Sequence, residues 1–386
     1  MRTLLLTLRI RSVQLGFALG RRRPLRRRVL FATSHAERLS GNLALLHDEL
    51  GRLAPAMPRL VVARRARRGI LGRLGALVES VRAGYRLATS RVVLVDDYYF
   101  PLYVIRPRPG TTVVQVWHAC GAFKQFGYSV RDRTFGAEEA LLRRVRIHGT
   151  YDVCLVSSMT VAPHYAEAFG LPLDRFRSDL GIPRTDLLCD PTRWPPVAAA
   201  VRARYAIPTG KRAILYAPTF RGDRIGAARA DGLADLHILQ RALDADHVLL
   251  VRLHPFVRQG LDLSGLDGFA IDVTAHPEIN ELLLVTDVLV TDYSSVFYEF
   301  ALLGRPMVFF APDLVAYERE RGFYFPYRKG VPGPVVETTE ALAVALRRGD
   351  ERPERVAAFA RRSFDVADGR ATRRVIEELV LPALTG

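Results

Sequence analysis

The sequence contains few cysteines, and the way they are spaced excludes two classes of protein. Only three of its 386 residues are cysteine, namely Cys120, Cys154 and Cys189, and no two of them form a Cys-x-x-Cys pair. An odd number of widely spaced cysteines argues against both a disulfide framework and a zinc knuckle. The cysteine content therefore favours a reducing, cytoplasmic setting.

Acidic residues and long apolar runs are also scarce. No apolar stretch approaches the ~20 residues that a membrane span requires. Lys and Arg together number 56 against 40 Asp and Glu, so the formal net charge is +16. Such a surplus attracts anionic partners. Nucleic acid is the last of these that we expect, because the aromatic residues lie in apolar segments and do not interleave with a basic groove.

Much of the positive charge lies at the start of the chain. Residues 1–28 contain nine arginines and no acidic residue, mixed with apolar side chains. This composition predicts an interfacial helix lying on an anionic membrane surface. The alternative is a basic tail that binds nothing specifically.

The rest of the sequence alternates short apolar runs with segments of helical spacing. We predict strands at residues 29–32, 60–63, 91–95, 111–118, 152–158, 213–217, 247–253, 288–291 and 306–310. We predict helices at residues 42–50, 70–87, 137–145, 162–169, 233–243, 279–284, 338–347 and 353–380. Near-continuous apolar strands separated by helices are typical of parallel sheets covered on both faces.

The length of the chain indicates more than one domain, since 386 residues exceed a single ordinary core. Proline and glycine interrupt the alternation between residues 181 and 196, and we place the boundary there. The prediction is an α/β protein with a basic segment at 1–28 and two doubly wound domains, at 29–180 and 181–386, facing each other across a cleft. The terminal helices are candidates for packing back on the first domain.

Residues 288–304 have the pattern of an anion site. A buried strand leads into a hydroxyl-rich turn, which is followed by apolar residues at helical spacing. Ser294 and Ser295 would lie at the helix start, where backbone N–H groups without a helical partner bind phosphate well. The alternative is that Asp292 or Ser294 only caps the helix.

Other polar residues follow predicted strands, at the sheet edge where ligands bind in open α/β folds. His118 follows one strand and can take a proton from an attacking hydroxyl. Thr219 and Arg221 follow another, and the Arg guanidinium suits phosphate. His254 follows a third, directly before Pro255. Taken alone, each residue also has a non-functional interpretation. The two histidines would be structural imidazoles, and Arg221 would be a solvated side chain on a loop.

Several short motifs occur in this chain, and their order and spacing together indicate a family more specifically than any single motif does. The motifs are Trp-His-Ala-Cys-Gly at 117–121, Gly-Ile-Pro-Arg-Thr-Asp at 181–186, Tyr-Ala-Pro-Thr-Phe-Arg at 216–221, Leu-His-Pro at 253–255, Thr-Asp-Tyr-Ser-Ser at 291–295, Arg-Gly-Phe-Tyr at 321–324 and Pro-Gly-Pro at 332–334. From about Val92 to Arg347 the chain resembles the CDP-glycerol glycerophosphotransferase family, which includes teichoic-acid primases and polymerases and related capsule polymer synthases. One departure is Ala119-Cys120, where many members have Gly-Thr.

The resemblance implies a GT-B-like fold of two Rossmann-like domains and a specific reaction. A polyol phosphate, of glycerol or ribitol, moves from a CDP-polyol to a hydroxyl of a lipid-linked or glycan acceptor, releasing CMP, at the cytoplasmic face of the membrane. His118 would be the base, His254 would act on the donor phosphates, and Ser294 and Ser295 would hold the pyrophosphate beside Arg221. The other implied site residues are Thr219, Thr291, Asp292 and Glu299 on the donor side, and Gly121, Lys124 and Arg184 on the acceptor side or its loops. Of these, Asp292 and Glu299 would orient the cytidine or ribose side of the donor.

Such a reaction needs positioned positive groups and an in-line hydroxyl, so we expect neither a bound metal nor another cofactor. The carboxylate pair Asp96-Asp97 ends a strand, but on the domain opposite the predicted phosphate site. Two other functions remain open from the sequence. One is a GT-B glycosyltransferase with a nucleotide-sugar donor, and the other is a non-catalytic, membrane-attached protein that binds anionic polymers. The sequence leaves the polyol, the acceptor and the oligomeric state undetermined.

Overall fold

A computed structural model describes residues 2–34, 36–63, 70–131, 144–219, 233–243, 245–253, 262–349 and 352–385. Within these residues the chain forms twelve strands in two separate parallel sheets. The predicted α/β class is therefore confirmed. The predicted helix at 137–145 lies mostly outside the described residues.

The first sheet is built from the amino-terminal half of the chain. Its strands are β1 (Arg26–Thr33), β2 (Arg59–Ala63), β3 (Ser90–Val95), β4 (Thr112–Gln115), β5 (Val153–Leu155) and β6 (Phe176–Arg177). Its helices are α1 (Arg2–Arg21), α2 (Gly41–Leu53), α3 (Ile70–Thr89), α4 (Phe100–Tyr103) and α5 (Ala162–Phe169). The strand order is β2-β1-β3-β4-β5-β6. The apolar residues of β1 and β3 are completely buried, as expected for central parallel strands with helices on both faces.

The second sheet has the strand order of a dinucleotide-binding Rossmann domain. Its strands are β7 (Arg212–Ala217), β8 (His247–Val251), β9 (Ala270–Asp272), β10 (Val288–Thr291), β11 (Met307–Phe310) and β12 (Val335–Val336). Helices α6 (Trp194–Tyr205), α7 (Leu236–Ala242), α8 (Ile279–Leu284), α9 (Val296–Ala301), α10 (Leu314–Arg321), α11 (Tyr327–Gly330) and α12 (Thr339–Arg348) accompany them. The order β9-β8-β7-β10-β11-β12 reverses direction between β7 and β10. Ligands of open α/β sheets bind outside the carboxyl ends of the strands at such a reversal.

Several predicted boundaries were wrong. The strand predicted to reach His118 ends at Gln115, and the one predicted to reach Leu253 ends at Val251. The short strands β6, β9 and β12 and the helix α6 were missed. The sequence predicts a break at Pro195-Pro196, but these prolines occupy the first turn of α6, where their missing N–H groups cost nothing.

The chain crosses between the two domains a second time near its end. The last elements are α13 (Pro353–Ser363), α14 (Ala371–Val375), a π-helical turn (Ile376–Val380) and α15 (Leu381–Thr385). Phe359 of α13 packs against Tyr298 of α9 in the second domain, at 4.9 Å between ring centroids. The terminal helix lies on the first domain, where Arg91 Nε donates to the carbonyl of Ala383 at 3.2 Å.

Helix α1 packs along α3 and is part of the first domain. Val13 and Phe17 are buried there. Gly16 lies at the crossing, and a Cβ at this position would come within 1.8 Å of the Val81 carbonyl oxygen, so only glycine allows this approach. Residues 2–21 are therefore a packed helix and not a free tail. Within the described part of the chain, we find no helix with the length and apolarity that crossing a bilayer demands.

Candidate active site

His118 lies on a turn that leaves the first sheet at the end of β4. Its side chain is 47% exposed and its ring stacks on that of Trp117, at 4.6 Å between centroids. Nδ1 lies 3.1 Å from the carbonyl oxygen of Asp96. A carbonyl oxygen only accepts, so Nδ1 carries the hydrogen, and in the neutral ring the lone pair is then on Nε2. This tautomer is the one that a general base requires.

Asp97 is a site residue that the sequence analysis did not assign to His118. One of its carboxylate oxygens lies 3.9 Å from Nδ1 of His118. The Asp97 carboxylate therefore lies beside the same ring nitrogen that the Asp96 carbonyl orients. The signal was present, because β3 and β4 are neighbouring parallel strands and both end at the same edge of the sheet.

The turn that carries His118 is strained and is held by side chains. Trp117 has a φ of +48°, which a bulky residue rarely adopts. The Asn42 amide donates to the carbonyls of both Val116 and Trp117, at 2.9 Å each. Behind the turn the Trp117 ring packs against Phe169, at 5.3 Å between centroids. Such a backbone conformation persists only where several neighbours fix it together.

The predicted donor-side residues lie at the reversal point of the second sheet. Thr291 donates its hydroxyl to the carbonyl of Ala217 at 2.8 Å, which joins the ends of β10 and β7. Asp292 accepts from the backbone N–H and the hydroxyl of Thr219, at 2.8 and 3.0 Å. Thr291 and Asp292 are buried. Together with Thr219 they hold the ends of β7 and β10 together. Whether they also contact the donor stays a prediction.

Ser294 and Ser295 lie directly before α9 and are partly exposed. Ser295 makes no side-chain capping bond, and the Ser294 hydroxyl accepts from the Val296 N–H only at a long 3.4 Å. Asp292 bonds the Tyr293 N–H, which precedes the helix. The alternative that these side chains serve only to cap α9 is therefore poorly supported. Because α9 has only six residues, an anion here would depend on local N–H and hydroxyl donors more than on a long helix dipole.

The segment after His118 lies directly on the second domain. At Gly121, where φ is +46°, a Cβ would come within 2.0 Å of the Tyr298 ring of α9. The Tyr298 hydroxyl donates to the carbonyl of Ala122 at 3.2 Å. Lys124 forms an antiparallel bridge with Phe323. Gly121 and Lys124, predicted on the acceptor side, are thus at the contact between the domains.

Arg184 and Glu299 were assigned to different sides of the site, yet they form an ion pair. Arg184 Nε lies 3.3 Å from a carboxylate oxygen of Glu299, whose side chain is 2% exposed. The Arg184 guanidinium also donates to the carbonyl of His118. Cys120 is buried beside the pair, and burial together with the Glu299 charge raises the pKa of its thiol. The pair therefore connects α9 to the turn that carries His118.

Two predicted residues, Arg221 and His254, lie outside the described residues, so their roles stay predictions. In the residues that are described, no group of three His, Cys, Asp or Glu side chains is arranged to hold a metal ion. All three cysteines are free thiols.

The sequence profile of the CDP-glycerol:poly(glycerophosphate) glycerophosphotransferase family matches residues 16–381. The chain belongs to this family. The predicted resemblance and the predicted class of enzyme, a phosphotransferase acting on a CDP-alcohol, are therefore confirmed.

Relatives within the family are enzymes of teichoic-acid synthesis. The chain is 37% identical to a teichoic acid ribitol-phosphate primase of Bacillus spizizenii, over 91% of this chain and 90% of that protein. It is 33% identical to a teichoic acid poly(glycerol phosphate) polymerase of Bacillus subtilis, over 70% of this chain and 36% of that protein.

Solved structures support the fold. The wall teichoic acid polymerase TagF matches with a TM-score of 0.79 at 24% identity, over 100% of this chain and 96% of that one. A UDP-GlcNAc 2-epimerase of Neisseria meningitidis matches with a TM-score of 0.57 at 13% identity, over 92% of this chain and 100% of that one. Both likenesses concern the fold alone, and they confirm the prediction of two Rossmann-like domains.

Proposed function

We propose that this protein transfers ribitol phosphate from CDP-ribitol to a hydroxyl of a lipid-linked or glycan acceptor, releasing CMP, in the synthesis of a teichoic-acid-like polymer. One observation carries the proposal: the His118 ring, oriented by Asp96 for general-base catalysis, projects from a turn that packs directly on the helix beginning after Ser295. A base and a phosphate site on opposite domains are the parts that transfer to a hydroxyl requires.

The reaction follows from these positions. The donor diphosphate contacts the N–H groups and hydroxyls at Ser294 and Ser295. Nε2 of His118 takes the proton of the acceptor hydroxyl, whose oxygen attacks the phosphorus bonded to ribitol. The new P–O bond forms as the bond to the CMP phosphate oxygen breaks, and CMP leaves with the electron pair. The charged ring lies beside the Asp97 carboxylate and then loses the proton to solvent.

Ribitol is preferred over glycerol because the match to a ribitol-phosphate primase extends over nearly the full length of both chains. The test is a panel of CDP-ribitol, CDP-glycerol and UDP- and GDP-sugars with a lipid-linked acceptor, scored by CMP release and product mass. We expect turnover with CDP-ribitol to exceed that with CDP-glycerol. Release of a nucleoside diphosphate from a sugar donor would instead support the glycosyltransferase alternative.

The transfer is proposed to proceed without a bound metal or other cofactor. The support is that the two donor-side carboxylates already have protein partners: Asp292 bonds Thr219 and Tyr293, and Glu299 pairs with Arg184. Excess EDTA should therefore leave CMP release unchanged. A rate restored only by Mg²⁺ or Mn²⁺ would contradict this.

The protein is proposed to act on the inner face of the cytoplasmic membrane, with α1 as the contact. Leu4, Leu8, Leu15 and Leu19 are 43–64% exposed. At 100° per residue they fall within about 60° of one another, so they form one apolar stripe. Exposed arginines, among them Arg11, Arg21 and Arg22, provide the positive charge that an anionic lipid surface attracts.

Deleting residues 1–28 is a poor test of this contact, because α1 is packed into the first domain. The double variant Leu8→Glu/Leu15→Glu changes only the outer stripe. It should no longer sediment with vesicles containing phosphatidylglycerol, while the control Val315→Glu, at a residue 83% exposed on the second domain, binds as the wild type does. Equal binding by both variants would rule out the α1 contact.

A further inference from the structure

A nearly buried guanidinium connects the two halves of the candidate site. Arg184 lies in the linker between the sheets, and its side chain is 18% exposed. One end of the guanidinium donates to the carbonyl oxygen of His118 on the first domain. The other faces Glu299 of α9, the helix that begins after Ser295. A single side chain thus contacts both the base turn and the helix of the donor site.

The backbone of Arg184 is fixed from both domains as well. Its N–H donates to the side-chain oxygen of Asn42 at 2.9 Å, and its carbonyl accepts from the Asn280 amide at 2.7 Å. Asn42 also donates to the carbonyls of Val116 and Trp117. Asn42 and Arg184 together bind three successive carbonyls, those of residues 116, 117 and 118. These carbonyls span the strained turn whose Trp117 has a positive φ.

We infer that Arg184 is a positioning residue for His118 and that Glu299 fixes the orientation of its guanidinium. The inference rests on the proposed function, in which His118 is the base. A turn with an unfavourable backbone conformation relaxes when its hydrogen-bond donors are removed. Removing the Arg184 contact therefore lets the His118 ring move away from the acceptor hydroxyl. A displacement of about 1 Å in a reacting group costs on the order of 100-fold in rate.

This role differs from the one that the family resemblance implies for Glu299, which is to orient the cytidine or ribose side of the donor. Measurements of kcat and KM distinguish the two roles. Loss of a contact with the cytidine or ribose weakens donor binding and raises the KM for the CDP-alcohol. Loss of base positioning lowers kcat and leaves the donor KM near that of the wild type.

The experiment compares Arg184→Lys and Glu299→Gln with the matched control Arg374→Lys. Arg374 is at the same junction, is 19% exposed, donates to the Leu180 carbonyl and pairs with Asp368, but it does not contact the His118 turn. We expect both site variants to lose about 100-fold in kcat, with the control at the wild-type rate. A raised donor KM with unchanged kcat in Glu299→Gln, or wild-type kinetics in Arg184→Lys, would overturn the inference.

A second readout is independent of activity. The Trp117 ring stacks on His118, and a protonated imidazole quenches the fluorescence of an adjacent indole. The His148 ring also lies 6.1 Å from that of Trp117, but burial lowers the pKa of His148 to about 3. In a Trp194→Phe background, acid quenching above about pH 5 therefore reports the geometry of the Trp117–His118 pair. Arg184→Lys and Glu299→Gln should reduce its amplitude, and Arg374→Lys should not. Unchanged quenching in both site variants would refute the inference. This result does not depend on turnover, so it can be told apart from a wild-type protein that uses no CDP-alcohol. If the Arg184→Lys protein does not fold, the kinetics and the quenching of Glu299→Gln test the inference.

Discussion

The two halves of the candidate site are built differently. On the donor side, strands β7 and β10 are regular, and short hydrogen bonds made by Thr291 and Asp292 join the chain at their carboxyl ends. On the base side, β4 stops at Gln115, and the chain passes through a left-handed Trp117 that Asn42 and Arg184 hold from outside the strand. Changes on the donor side should therefore affect folding stability, whereas changes on the base side should affect the rate.

The largest effect is expected at His118. His118→Asn removes the base but keeps a polar side chain, so kcat for CMP release should fall about 1,000-fold, within the range typical of general-base catalysis. Donor binding, measured by calorimetry, should be unchanged, because the diphosphate site is on the other domain. The control His47→Asn, on α2 of the same domain, should retain full activity. A loss of less than tenfold in His118→Asn would show that another group takes the proton.

The contact between the halves is tested at Gly121. Gly121→Ala adds a methyl group where φ is +46° and where the Tyr298 ring already lies. We expect a loss of about 3 kcal/mol in the free energy of unfolding, from backbone strain and overpacking together. Gly304→Ala is the control, since φ there is +68° but no atom lies within 4 Å of the new Cβ. It should lose only about 1 kcal/mol in urea denaturation. Equal losses would mean that the domains do not meet at Gly121.

The donor side is tested at Asp292. Asp292→Asn places an amide where the carboxylate accepts from Thr219 and Tyr293 in a buried setting. We expect a loss of about 2 kcal/mol in the free energy of unfolding, as for a hydrogen-bonded charged group. Asp235→Asn, at the exposed N-cap of α7, is the comparison and should lose less, about 0.5 kcal/mol, because asparagine is also a good N-cap. A stable Asp292→Asn protein would contradict the stated difference between the two sides.

His148, in the buried interior of the first domain, predicts a pH dependence of stability. Burial among aromatic rings lowers the pKa of His148 to about 3, whereas in the unfolded chain it is near its ordinary value of 6.5. Between these values the unfolded chain binds one proton more, so the free energy of unfolding falls as the pH falls, by about 1.4 kcal/mol per pH unit for this residue. Denaturation at pH 6.5 and 4.5 should show a smaller decrease in His148→Phe than in the wild type. Equal decreases would mean that His148 is not held neutral.

The sequence predicts the bounds of helices and strands correctly where a local pattern determines them. Strand 288–291 and the helices 162–169 and 279–284 have the predicted bounds, because strong apolar spacing is bounded there by polar or helix-ending residues. The short strands β9 and β12 were missed, since only pairing with neighbouring strands makes them strands.

In the candidate site, too, the sequence predicts the parts that are continuous in the chain and misses contacts between distant residues. Ser294 and Ser295 were predicted at a helix start because the motif is continuous in sequence. The contacts of His118 with Asp96 and Asp97, and that of Arg184 with Glu299, join residues far apart in the chain. Only the adjacency of β3 and β4 indicates the pair with Asp97, and no local pattern indicates the pair of Arg184 with Glu299.

The central claim is that a donor diphosphate on the second domain faces an imidazole carried by the first. A crystal structure of the His118→Asn protein with CDP-ribitol tests it most directly. We predict that the diphosphate contacts Ser294 and Ser295, with the phosphorus bonded to ribitol on the side of residue 118. A diphosphate bound at another strand end, or one facing away from residue 118, would contradict the account.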